Sequence, residues 1–124
     1  MGTDIYACAE TRTKDGWIYS RWVPERDYVL FALLANVRNS FELEPISQPR
    51  GLPADCDDDL AALRFKKDGF CASWLSLKEL QSYDWQALPT LLRIRVSRFF
   101  EKDVPALQAL GAPDDVRVCF FFAL

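Results

Sequence analysis

The chain has 124 residues, half of them hydrophobic and 14 % aromatic, which suits a single domain over residues 1–124 with a sizeable core and excludes disorder along its length. A formal net charge of −3 argues against broad nucleic-acid binding, where a basic surface is expected. Histidine is absent, which removes the usual general base, the usual metal ligand and any Ser-His or Cys-His nucleophile pair.

The first residues, MGTDIYACAE, carry an early acid and no basic flank before an apolar stretch, so no signal peptide is expected. Tyr6 stands where a myristoylation motif needs Ser or Thr. The residues from Asp4 to Val23 read as a β-hairpin. Ile5, Ala7 and Ala9 alternate with Tyr6, Cys8 and Glu10, and Asp15-Gly16 supplies the turn signal. Pro24 is expected to stop the second strand. A helix then follows over residues 27–38, with Asp27 as its cap, Tyr28, Phe31, Leu34 and Ala35 at helical spacing, and Asn39-Ser40 as its end. The apolar run in that helix is about half a membrane span, so a cytoplasmic protein is expected.

Pro45, Pro49, Gly51 and Pro53 mark an ordered loop. The aspartates at 55, 57, 58 and 59 are expected to open a short helix running to about Lys67, with acids in the first turn and lysines in the last. They do not form a calcium loop, because Leu60 and Lys66 stand where one starting at Asp55 needs Gly and Glu. GFCASWLSL predicts a third strand with Phe70, Ala72 and Trp74 on one face, and Ser76-Leu77-Lys78-Glu79 is a capping box that starts another helix. Residues 89–110 fit a helix kinked or broken by Pro105 and closed by Gly111. DDVRVCFFFAL is apolar enough for a central strand. The fold class is therefore α+β, an antiparallel sheet of about four strands with helices packed on one face.

Several of these blocks, MGTDIYACAE, RDYVLFALLANVRN, PRGLP, DGFCASWLSLKEL and DDVRVCFFF, resemble a family of small proteins encoded by bacteriophages and prophages. The resemblance implies a setting and not a reaction. Small phage accessory proteins are often inhibitors of host defence that act by stoichiometric binding, as anti-CRISPR proteins do, or that sequester a nucleotide signal. Members of the family carry histidine at the positions held here by Tyr6 and Phe70, so a chemistry resting on that pair would be lost in this chain.

Candidate binding residues follow from local chemistry. Pro49 and Gly51 hold Arg50 on a stiff loop, a presentation suited to bidentate contact with phosphate or carboxylate. The alternative is a salt bridge to an aspartate of the same loop. Asp4, Tyr6 and Glu10 lie on one strand, with Tyr6 and Glu10 on the same face, and could line a pocket with Arg50; the alternative, which is favoured, is ordinary surface strand residues. Arg95 and Arg98 share one side of a helix, while Arg93 points elsewhere; the cluster could meet an acidic partner or RNA, and the alternative, which is favoured, is a solvated face. No catalytic residue, metal ligand or cofactor is assigned. Cys8, Cys56, Cys71 and Cys119 are widely spaced and read as buried reduced thiols. The expected partner is a bacterial defence protein or complex, with a membrane excluded. The alternative is a nucleotide immune signal held by Arg50 and the hairpin.

Overall fold

The computed structural model describes residues 2–124. It is built on a four-stranded antiparallel sheet ordered β2-β1-β4-β3, with β1 Asp4–Thr13, β2 Gly16–Ser20, β3 Phe70–Ser76 and β4 Val116–Ala123. The α+β class read from the sequence is thus observed. The C-terminal strand is central, and all its residues are buried, including Phe120, Phe121 and Phe122 at 0 % exposure. Each such phenylalanine contributes about 1.5–3 kcal/mol by leaving water.

The hairpin turns at Lys14-Asp15, and only Gly16 takes a positive φ, 114°, where a side chain would be strained. β2 ends at Ser20, short of the expected Val23. The chain there leaves the sheet so that Trp22 can pack on Phe99 and donate its indole N–H to Asp103.

α1 (Tyr28–Ala35) is capped as expected by Asp27, whose carboxylate accepts from the Val29 and Leu30 amides. It stops earlier than Asn39-Ser40 because Asn36 adopts the left-handed conformation at φ 60°. From Val29 to Ala35 every residue is buried, which the mostly apolar run YVLFALLA permits. Phe31 meets Phe122 of the sheet edge-on, ring centres 5.0 Å apart.

α3 (Leu77–Ser82) starts at the expected capping box, with Ser76 and Glu79 bonded reciprocally. α4 (Thr90–Arg98) and α5 (Val104–Gln108) are joined by a wider π-type turn, Phe99–Asp103. Pro105, at the start of α5, has no N–H to continue the regular ladder, and the wide turn before it accommodates the ring. Ala109 caps this segment, not Gly111.

α1, α3, α4 and α5 bury their apolar sides against one sheet face, around Ala9, Leu75, Val118, Phe120 and Phe122. The opposite face, carrying Cys8, Ala72, Cys119 and Phe121, is covered by α2 (Asp58–Lys66) and the loop before it. A bulge in β3 adjusts the expected face assignment. Cys71 takes φ 50°, and the register against β4 shifts between Phe70 and Ser73. Ala72 and Trp74 stay together on the α2 face, while Phe70 turns to pair with Phe122.

Candidate functional site

The two sheet edges are built differently. At β3 the loop containing Pro49-Arg50-Gly51 lies along the strand. The Gly51 amide donates to the Ala72 carbonyl at 2.8 Å, and the Arg50 amide donates to the Ser73 hydroxyl at 3.0 Å. Gly51 makes this approach with φ 82°, a conformation glycine adopts without strain. The Arg50 guanidinium continues the seal. It donates to the Trp74 carbonyl at 3.2 Å, stacks over the Trp74 ring with 4.8 Å to its centre, and grips both oxygens of Glu79.

Arg50 is therefore engaged inside the fold. Its partner is Glu79 of the α3 capping box, not an aspartate of its own loop. The bond to Glu79 raises the Arg50 pKa, and the guanidinium in turn holds the Glu79 carboxyl below its ordinary value.

The expected pocket of Arg50 with Asp4, Tyr6 and Glu10 is not assembled, because β4 runs between β1 and β3. Asp4 is exposed and bonded to Arg26 at 2.8 Å. Tyr6 stacks on Phe121 with ring centres 5.2 Å apart and lies beneath the Lys67 ammonium. Glu10 is 2 % exposed. Arg95 and Arg98 do face one side of α4, but they face Asp27 and Glu25, at 3.2 and 2.6 Å. Tyr6 and Phe70, where the phage family carries histidines, lie on opposite faces of the sheet and share no site.

Glu10 anchors a charged network that sequence reading missed. Arg117 of β4 donates Nε to Glu10 Oε1 at 2.8 Å and Nη2 to Asp55 Oδ1 at 3.0 Å, with the Trp17 ring 3.6 Å from its guanidinium carbon. Trp17 donates Nε1 to Asp55, the Asp57 amide donates to the second Glu10 oxygen at 2.8 Å, and Cys119 Sγ donates to the first. Burial opposes the Arg117 charge, yet the bonds to Asp55 and Glu10 leave its pKa raised; the Arg117 bond lowers that of Asp55. Two charges set in otherwise apolar strands, Glu10 in IYACAE and Arg117 in VRVCFFF, are the signal that pairs them, since a buried charge requires a partner.

The network fixes Asp55 and Asp57 to the sheet and so positions α2. Asp57 is the helix cap and Asp58 and Asp59 fill its first turn, as expected; Asp55 serves Arg117 instead. Cys8, Cys56 and Cys119 are buried nearby, whereas Cys71 at the bulge is exposed, contrary to a wholly buried set. Burial, then the Glu10 charge, push the Cys56 thiol up to about 11, and a bond with Cys8 together with burial raises Cys119. Both thiols thus stay protonated near neutrality, which suits packing and not nucleophilic attack.

The other edge of the sheet is open. β1 pairs with β4 from Asp4 onward, but with β2 only from Ala9, so residues 4–8 have a strand neighbour on one side alone, although Arg26, from the segment after β2, reaches Asp4. Beside this gap lies a cleft of about 330 Å³, walled by Tyr6 and Cys8 of β1, Tyr19 of β2, and Asp57, Asp59, Leu60 and Leu63 at α2. Tyr19 in its wall is 52 % exposed; Ile18, at 57 %, is on the other face of β2, and Phe65, at 92 %, lines a separate hollow with Arg64, Asp68 and Gly69. No family model matches the chain, and no match was found among curated proteins or solved structures. Among the described residues, no helix is long and apolar enough to cross a membrane.

Proposed function

We propose that the protein acts by occupying a partner's surface, as a counter-defence protein of the anti-CRISPR kind that binds a bacterial immune complex stoichiometrically and performs no bond chemistry. The observation that carries this reading is the open sheet edge with its exposed Ile18 and Tyr19. Aromatic side chains beside unpaired strand backbone supply both the apolar anchors and the directional bonds of a specific interface. The sequence resemblance to small phage proteins supplies the biological setting. A nucleotide-sequestering role through Arg50 draws no support from the arrangement, since that guanidinium is already held by Glu79.

The test is expression of the protein in bacteria carrying defined CRISPR–Cas systems, challenged with a targeted phage. The reading predicts restored plaque formation in at least one system and co-elution with that system's effector at a fixed ratio. Full immunity across the panel, or inhibition that is substoichiometric and catalytic, contradicts it.

A further inference from the structure

Among the described residues, residues 4–8 of β1 have no strand on their outer side, where only the Arg26 side chain reaches Asp4, and no backbone hydrogen bond joins them to the segment that follows β2. Ile5, Tyr6 and Ala7 are only half-buried, whereas their β4 partners Phe122, Phe121 and Phe120 are wholly buried. The difference lies in the missing neighbour on the outer side. Strands left in this condition accept an added strand, because every second amide and carbonyl points away from the sheet without a partner.

The cleft tells what kind of strand fits. In an added strand, alternate side chains would fall on the α2 face, where Tyr6 and Cys8 point. One such position lies between Tyr19 and the α2 start, against the exposed Asp59 and the half-buried Asp57. The other lies at Tyr6, where Lys67 already covers the ring with its ammonium 5.2 Å from the centre. A cation is favoured at the first position and an uncharged apolar side chain at the second. Asp57 spends one oxygen on the Leu60 amide, while Asp59, on the exposed side of the first turn, is available to a partner. A second copy of the chain is a poorer occupant, as each copy carries a net charge of −3.

We propose that residues 4–8 receive an extended segment of a partner protein as an additional strand, with a lysine or arginine of that segment seated between Tyr19 and Asp59. This rests on the binding role proposed above and adds its place and the chemistry of the partner. Main-chain bonds would supply affinity, and the acidic end of the cleft would supply register and selectivity.

The probe is a short capped peptide of valines with one central arginine, so that the α2 face receives a cation at one position and an apolar side chain at the next, titrated into ¹⁵N-labelled protein. Two control peptides accompany it, one with glutamate for arginine and one N-methylated at alternate amides. The proposal predicts amide shift changes centred on residues 4–8, binding lost with both controls, and affinity weakened roughly two- to fivefold by Asp59→Asn. Asp59 makes no bond that the fold needs, so that variant stays folded. No binding at millimolar peptide, shifts centred on residues 70–76, or equal binding of either control overturns the proposal. So do shifts at residues 4–8 that follow protein concentration alone, which would identify a second copy as the occupant. Failure here with a positive phage assay removes the docking edge and leaves the counter-defence role; peptide binding with a negative phage assay does the reverse.

Discussion

The β3 edge and the β1–β2 edge belong to one sheet but meet solvent in opposite ways. At β3, a proline-bounded loop donates the Gly51 amide to the strand, and Arg50 closes over Trp74 onto Glu79. At the other edge, β2 stops at Ser20 and leaves residues 4–8 without an outer strand beside an aromatic, acid-rimmed cleft. Proteins ordinarily blunt exposed edges, since unpaired strand backbone templates association. Sealing one and leaving the other bare would direct any strand-on-strand association to a single side.

The largest expected effect comes from the network that holds α2 as the wall of the open side. Arg117→Met leaves the Glu10 carboxylate buried without its cation and should cost about 3–5 kcal/mol in urea unfolding. Adding Glu10→Gln should recover part of that loss, because the amide oxygen can still accept from Asp57 and no buried charge remains. An equal loss in single and double variants would show that the charge is not what Arg117 serves.

Next is the sealed edge. Arg50→Ala frees Glu79 and the Trp74 carbonyl; with both partners part-exposed, water replaces some of what is lost, and about 1–2 kcal/mol is expected. The same variant should gain concentration-dependent self-association, measurable by sedimentation, because it bares the second edge. A fall in stability without association would mean that the loop backbone alone seals β3.

The pH dependence sharpens this point. Arg50 lowers the folded-state pKa of Glu79, so the pair's stabilisation is fully present above the ordinary glutamate value, about 4.3, and is lost as pH falls through the depressed folded value. The stability gap between wild type and Arg50→Ala should therefore hold near neutrality and narrow as pH falls below about 4.3. A constant gap would contradict the assignment of Glu79 as the partner.

Much of the fold was legible because local and tertiary preferences coincide there. The capping box at Ser76, the cap at Asp27, the hairpin turn and the largely apolar β4 each follow from a few neighbouring residues. What was not legible depends on contacts distant in sequence. The β3 bulge turns on Cys71 entering a positive φ, which nothing in FCASW announces. Arg50 was singled out for presentation to a ligand and is instead bonded inside the fold; Glu79 stands beyond a whole strand and could not be chosen from the acids available. Glu10 was read as a surface strand residue, since period-two alternation makes no distinction between a solvent face and a face covered by a later helix. The open edge itself arises from the unequal lengths of β1 and β2, and that inequality is set by Trp22 leaving for Phe99.

The smallest effect belongs to the open edge. Ile18→Lys lies on an exposed side chain and should change unfolding free energy by less than about 0.5 kcal/mol. If it instead destabilises by more than about 1 kcal/mol, the edge is covered in solution.

Amide hydrogen exchange of the free protein, read residue by residue, tests the contrast most directly. The Gly51 and Arg50 amides should be protected, while those amides of residues 4–8 that point away from β4 exchange at nearly the rate of an unstructured peptide. Comparable protection along both edges would contradict the view that one side of this sheet is closed and the other is kept for a partner.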